Sequence, residues 1–241
     1  MRTQMKKTKK GSHKADTPRM IFPRLCPLLK DIDEDGFGRI CECLSAKELH
    51  LANKETFIRE TDPSTRIGIV VTGAVRLSRQ RLDGGRSVLE TIPENGTFGA
   101  TYVFRDVKTM GISATAVGET VVLLLETANI TRPCHHVCDA HMQFVRNLLM
   151  VMSQTTFALK QKLRILSQRT IRGRLMTFLN IRAKRAKSLE FEIPFDRQSL
   201  ADYLCVERSA LSAEISKLRA EGRIESVKNR FKLLASTANG K

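Results

Sequence analysis

FDRQSLADYLCVERSALSAEISKLRAEG, Phe195–Gly222, is the stretch whose reading decides the fold. Asp196 is a good N-cap, able to accept from free backbone N–H groups of a helix that follows it. Phe195 before it and Leu200 after it have the spacing of a hydrophobic staple. Leu200, Ala201 and Leu204 give that short helix one apolar face. Cys205-Val206 makes a tight turn, and a second helix runs from Glu207 to Glu221, stopped by Gly222. Leu211, Ile215 and Leu218 recur at helical spacing on its inner side. Arg208, Ser209, Ser212 and Ser216 fall on its outer side.

That outer face is small and polar. A helix that enters the DNA major groove needs such a face, because short hydroxyls let the backbone approach the base edges. An arginine at its N-terminal end can pair bidentately with guanine O6 and N7. The plainer alternative is two amphipathic helices that pack together and turn a solvated face outward. Context favours the first. After Gly222 comes RIESVKNRFKLL, two apolar-polar runs around Lys228-Asn229, which reads as a β-hairpin. Helix, turn, helix and basic hairpin make a winged helix-turn-helix.

RQSLADYLCVERSALSAEISKLRAEGRI resembles the C-terminal DNA-binding domain of the CRP/FNR transcription regulators, and the resemblance extends less specifically from Cys26 onward. It implies that Arg208 reads a guanine, that Ser209 and Ser212 face bases, and that Arg197 and Gln198 approach phosphates. It adds RNA polymerase as an expected partner. Two positions depart from the pattern. Ala213 stands where the cyclic-AMP receptor and the fumarate-nitrate regulator carry a second arginine, which implies a different or narrower readout. Cys205 stands where many such turns have glycine, and a non-glycine residue at positive φ costs roughly a kcal/mol.

The composition agrees with a nucleic-acid partner. The 241 residues carry a formal net charge of +16 and are 41% hydrophobic, enough for packed cores and a polyanionic ligand. No apolar run is long enough to span a bilayer, so no membrane partner is expected. MRTQMKKTKKGSHKADTPRM has no apolar segment of a secretory signal and reads as a basic disordered tail over residues 1–20. Six irregularly spaced cysteines read as reduced cytoplasmic thiols. Cys26, Cys41 and Cys43 do not match the spacing of iron-sulfur sensors in the family.

Residues 21–130 read as a sensor domain. Phe37–Leu44 looks helical. AKELHLANKETFIRE, RIGIVVTGAVRLSRQRLD, GRSVLETI, GISATAVG and TVVLLLE are short strands between turn residues, the pattern of an antiparallel β-barrel of jelly-roll type. The resemblance makes it cyclic-nucleotide-binding-like. Family members that bind cyclic AMP hold its phosphate and ribose with G-E-L and a following R-S/T-A. Here the segments are GTFGATYVF and GISATA, with Ala100 at the glutamate position and Ile112 at the arginine position. A phosphate buried without a cation is left unpaired, so cyclic AMP is not the expected ligand. Gly99, Thr101, Ser113 and Thr115 are the candidate lining for another small molecule, against the alternative of a filled barrel.

Residues 131–166 read as a dimerisation helix. Met142, Val145, Leu149, Met152, Thr156, Leu159, Leu163 and Leu166 alternate in steps of three and four, the seam of a coiled coil. Phe144, Leu148 and Val151 form a second apolar set facing the chain's own core. Two apolar faces point to a homodimer, which suits two half-sites one helical turn apart. Cys134, Cys138 and His141 precede or open this helix at spacings of four and three, so a helix would place them on one face as ligands for zinc or another thiophilic metal. Buried thiols without metal are the alternative.

Residues 167–241 complete the reading head. Leu175, Phe178 and Leu179 give Gln168–Lys187 an apolar face, and Arg169, Arg172, Arg174, Arg182 and Arg185 are read as a mix of solvated face and phosphate contacts. The whole is an α+β chain: a barrel sensor, a dimer helix and a winged helix-turn-helix. It is expected to be a homodimeric, non-enzymatic regulator that binds a double-stranded DNA operator and answers a small-molecule, metal or redox signal. The competing class is a sensing module that acts through protein contacts. A hydrolase on the Cys-His cluster would need a carboxylate, and Asp139 is the only one near.

Overall fold

Two long strands organise the N-terminal part by dividing their faces between two cores. In the computed structural model, which describes residues 20–63, 65–81, 83–102, 109, 111–130 and 138–234, these are β3, Arg66–Gln80, and β6, Ser113–Glu126. Ile67, Ile69 and Val71 of β3 and Leu123 and Leu125 of β6 face one core. Val70 and, further along, Val75 and Leu77 face the other, with Ala114, Ala116, Val122 and Leu124. A regular strand would keep Val71 and Val75 on one face. The register of β3 against β6 slips by one residue between Val70 and Thr72, which turns the following side chains over, and by two between Thr72 and Ala74, which leaves their facing unchanged. Gly73 sits at the bend with φ +77°, and a Cβ there would lie 2.5 Å from the Glu119 carbonyl oxygen.

The remaining strands of this sheet are β1, Lys47–Leu51, β2, Thr56–Ile58, β4, Arg86–Pro93, and β5, Thr97–Phe98. All pair antiparallel. The path runs β1-β6-β3-β4, with β2 added to β6 and β5 to β3. The described pairings leave β1 and β4 as ends of the path, so the sheet is not the closed barrel expected. The first core is covered by a 3-10 turn, Pro27–Leu29, and by α1, Glu34–Cys43. The α1 helix starts a turn earlier than its apolar residues indicate, because Asp33 accepts from the Gly36 N–H at 2.7 Å and caps it.

The long helix α2 spans Asp139–Leu166. Phe144 and Leu148 are fully buried in the first core, as the second apolar set required. Its other stripe has no cover among the described residues: Met142, Leu149, Leu159 and Leu163 are 48–68% exposed, as are Met150 and Phe157 beside it. Met152 and Val145 instead pack against the first core. The chain divides into two compact units within this helix, between Met152 and Ser153. Among the described residues no helix is long and apolar enough to cross a membrane.

The second unit holds α3, Ile171–Ala186, α4, Arg197–Leu204, and α5, Arg208–Ala220. Their inner faces meet at Leu175, Phe178, Leu200, Leu204, Leu211, Ile215 and Leu218. The hairpin is β8, Ile224–Val227, and β9, Arg230–Leu233, turning at Lys228 with φ +51°. A third strand, β7, Glu190–Glu192, pairs with β9 and makes the wing three-stranded.

Candidate nucleic-acid interface

The helix-turn-helix forms as its sequence specifies. Asp196 accepts from the Ser199 N–H at 2.7 Å, and that bond holds its carboxyl below the usual carboxylate range. Cys205 adopts φ 53° and ψ 55°, the left-handed conformation that lets α4 stop and α5 start three residues later. Leu211, Ile215 and Leu218 turn into the core, so Arg208, Ser209, Ser212, Ala213 and Ser216 are exposed along the opposite face of α5. Ser216 bends its hydroxyl back to donate to the Ser212 carbonyl at 3.1 Å, which keeps that part of the face low and smooth.

Arg208 opens α5 beside a groove that Asp196, Arg197 and Gln198 enter from α4 and Lys228 and Asn229 from the wing. Asn229 donates to the Ile193 carbonyl at 3.3 Å, fixing the wing tip. The groove therefore combines three cations, two amides, the capping carboxylate of Asp196 and the positive end of α5. That is the chemistry of a phosphate backbone site next to a base-reading side chain.

The predicted phosphate residues have further partners. Arg197 is half-buried: it donates to Ser226 Oγ at 2.7 Å, and its guanidinium lies 5.1 Å from the Phe231 ring centroid. Burial, and secondarily Arg219, pull its pKa down. It ties α4 to the wing as much as it faces outward. Gln198 donates to Asp202 one turn on, at 2.9 Å. Two arginines read from sequence as face or phosphate contacts are structural. Arg172 grips Glu221 through two bonds, at 2.6 and 2.9 Å, and Glu214 at 2.5 Å, clamping α3 to α5. Arg174 donates to the carbonyls of Gln168, Leu204 and Cys205. A sequence gives such charges without their partners, and no local signal distinguishes them.

The sensor residues are dispersed differently. Gly99 has φ +85°, and a Cβ on it would lie 2.6 Å from the Arg66 carbonyl oxygen, so backbone geometry accounts for this glycine. Thr101 is exposed. Ser113 is buried in β6 opposite Ser78, and Thr115 shares a hydrogen bond with Thr56 Oγ1 at 2.9 Å. Ile112, 3% exposed, belongs to the apolar core with Ala114 and Ala116, and Ala100 is buried in the other core. Residues 103–108 and 110, between the two segments, lie outside the described residues.

Of the metal candidates, Cys134 lies outside the described residues. Cys138 stands just before α2 rather than on its face, its carbonyl accepting from the N–H groups of His141 and Met142. His141 is buried. Its Nε2 donates to the Ile130 carbonyl at 2.9 Å, and its Nδ1 has no hydrogen-bond partner among the described residues. Among those residues no three His, Cys, Asp or Glu side chains are grouped to hold a metal. Cys26 and Cys41 are pushed up to about 11 and about 12, in both cases first by burial, so both are neutral thiols at physiological pH.

Two family models match this chain: the cyclic nucleotide-binding domain over residues 48–135 and the Crp-like helix-turn-helix domain over residues 173–237. No curated protein matches it. Among solved structures it is similar to the catabolite activator protein of Thermus thermophilus, at 19% identity over 86% of this chain and 93% of that one, with a TM-score of 0.49. DNR from Pseudomonas aeruginosa is similar at 19% identity over 87% and 91%, with a TM-score of 0.46. FixK2 from Bradyrhizobium japonicum is similar at 23% identity over 79% and 93%, with a TM-score of 0.40.

Proposed function

The chain belongs to the CRP/FNR family of transcription regulators, and on that premise we propose a homodimer that reads its operator with α5 and answers a signal other than cyclic AMP. DNA binding without catalysis is the family's activity. The observation that carries the reading is the bare outer face of α5, with Arg208 exposed at its entry beside the wing tip. Arg208 is the base-reading residue, Ser209, Ser212 and Ser216 allow close approach, and Gln198 and part of Arg197 meet the backbone. The exposed stripe on α2 is the dimer seam. Residues 21–130 sense, 131–166 pair the copies and 167–241 read, with residues 1–20 as a basic tail. RNA polymerase is a further partner by family.

Burial of Ile112 and Ala100 supports a signal other than cyclic AMP. Neither side chain offers a charge or a hydrogen bond to a phosphate or ribose, and a desolvated phosphate needs a partner. A small molecule beside Gly99, Thr101, Ser113 and Thr115 is the first candidate. A metal or redox signal at Cys134, Cys138 and His141 is the second, favoured by the buried Nδ1 without a described partner. Selection from a randomised duplex pool tests the function: an inverted repeat should be enriched, and a pool left unenriched contradicts the reading. Calorimetry with cyclic AMP should give no heat of binding. Metal analysis should give stoichiometric zinc, lost in Cys138→Ser, if the second candidate is right.

A further inference from the structure

The end of α4 accounts for every carbonyl it leaves over. The Ala201 and Asp202 carbonyls accept from the N–H groups of Val206 and Cys205. Leu204 accepts from Arg174 Nη1 at 3.2 Å. The Tyr203 carbonyl accepts from Lys162 Nζ, a side chain of α2. The same ammonium lies 3.5 Å from the centroid of the Tyr203 ring. That ring packs against Phe178 of α3, centroids 5.5 Å apart, and against Phe195, 5.0 Å apart. Phe195 precedes the cap residue Asp196 and lines the groove with Arg197, Gln198 and Arg208. One lysine thus touches the last turn of α4 directly and its first turn through a single aromatic neighbour.

We infer that Lys162 is a positioning residue for DNA recognition, through which the C-terminal end of α2 fixes where α4 and the turn stand and so where Arg208 enters the groove. The inference rests on the reading of α5 as the recognition helix. A cation at a helix C-terminus meets the negative end of the dipole, and over an aromatic face it meets the ring quadrupole as well. Burial lowers the pKa of Lys162, with Cys205 opposing the shift, so the ammonium is held here at the expense of some hydration. Methionine, one atom shorter and uncharged, would still lay an apolar stem beside the ring. What lysine adds is the donor for the Tyr203 carbonyl, and that donor sits on the helix whose other end is packed into the core of the first unit.

The full-length protein is first used to select a duplex from a randomised pool, and wild type, Lys162→Met, Lys162→Arg and Tyr203→Phe are then titrated with that duplex and with a random one. Lys162→Met should lose about fivefold to tenfold on the selected duplex, the scale of one charge-assisted hydrogen bond, with random-duplex affinity and dimer mass unchanged. Lys162→Arg, which restores donor and charge, should recover most of the loss. Tyr203→Phe keeps the carbonyl and the ring face and should bind as wild type. The inference is overturned if Lys162→Met matches wild type, if it weakens both duplexes equally, as a phosphate contact would, or if Tyr203→Phe reproduces its loss. A wild-type protein that enriches no duplex would sink the reading of α5 and the positioning role with it, a result distinct from enrichment with a silent Lys162→Met.

Discussion

Asn147 is buried on α2 and fully employed: Nδ2 donates to the Leu28 and Lys30 carbonyls at 3.0 and 2.7 Å, and Oδ1 accepts from Gln143. Both carbonyls belong to the segment around the 3-10 turn, so one amide ties that segment to the long helix. Asn147→Ala strands them, and the unfolding free energy should fall by about 1–3 kcal/mol in urea titration, the usual cost of leaving buried acceptors unpaired. A loss within error would mean that water replaces the amide. Asp196 makes a pH-dependent contribution. Its carboxyl titrates below the ordinary 3.8, so the stabilisation is present above that value and is lost as pH falls through the folded pKa. Asp196→Asn, which caps without titrating, should show a shallower loss of stability in acid than wild type. The cap was legible in the sequence because capping is local. Asn147 was not, since the two carbonyls it holds lie more than a hundred residues away.

Among the elements, α2 shows what periodicity can and cannot tell. Its two apolar sets were both visible, and Phe144 and Leu148 are buried as spacing required. Spacing did not reveal that Met152 serves the chain's own core, so a charge there would damage both surfaces. Leu159 is the cleaner probe, being 64% exposed. Leu159→Asp should convert the dimer to monomer in sedimentation equilibrium, leave the circular dichroism of the chain intact and weaken operator binding about tenfold or more, since paired carboxylates in the seam would be desolvated and repel. Thr156→Asp, at a position already polar, should be milder. A dimeric Leu159→Asp would move the interface elsewhere. The strand β7 escaped notice because three residues, two of them charged, give no periodic signal. Its pairing comes from β9 and from Arg230 bridging Glu190 and Glu192, at 3.2 and 3.5 Å. The wing's outward charges are thus largely neutralised, leaving Lys228 at the tip as its free cation among the described residues.

For the whole molecule, a charge of +16 ensures attraction to any duplex, and that part of the affinity must fall steeply with salt. Specificity has to come from somewhere narrower, and the proposed source is Arg208, exposed among serines and an alanine on the outer face of α5. The balance of charge and the order of the domains were readable from composition and motif. The division of arginines into those that grip carboxylates and carbonyls and those left for DNA was not, because it depends on which helix each one meets. The most direct measurement is therefore the affinity of wild type and Arg208→Ala for a selected operator and for random duplex at fixed salt. The account predicts a loss of about 1–3 kcal/mol on the operator and none on random DNA. Equal weakening on both would make Arg208 a phosphate clamp and would contradict the assignment of α5 as the helix that reads the sequence.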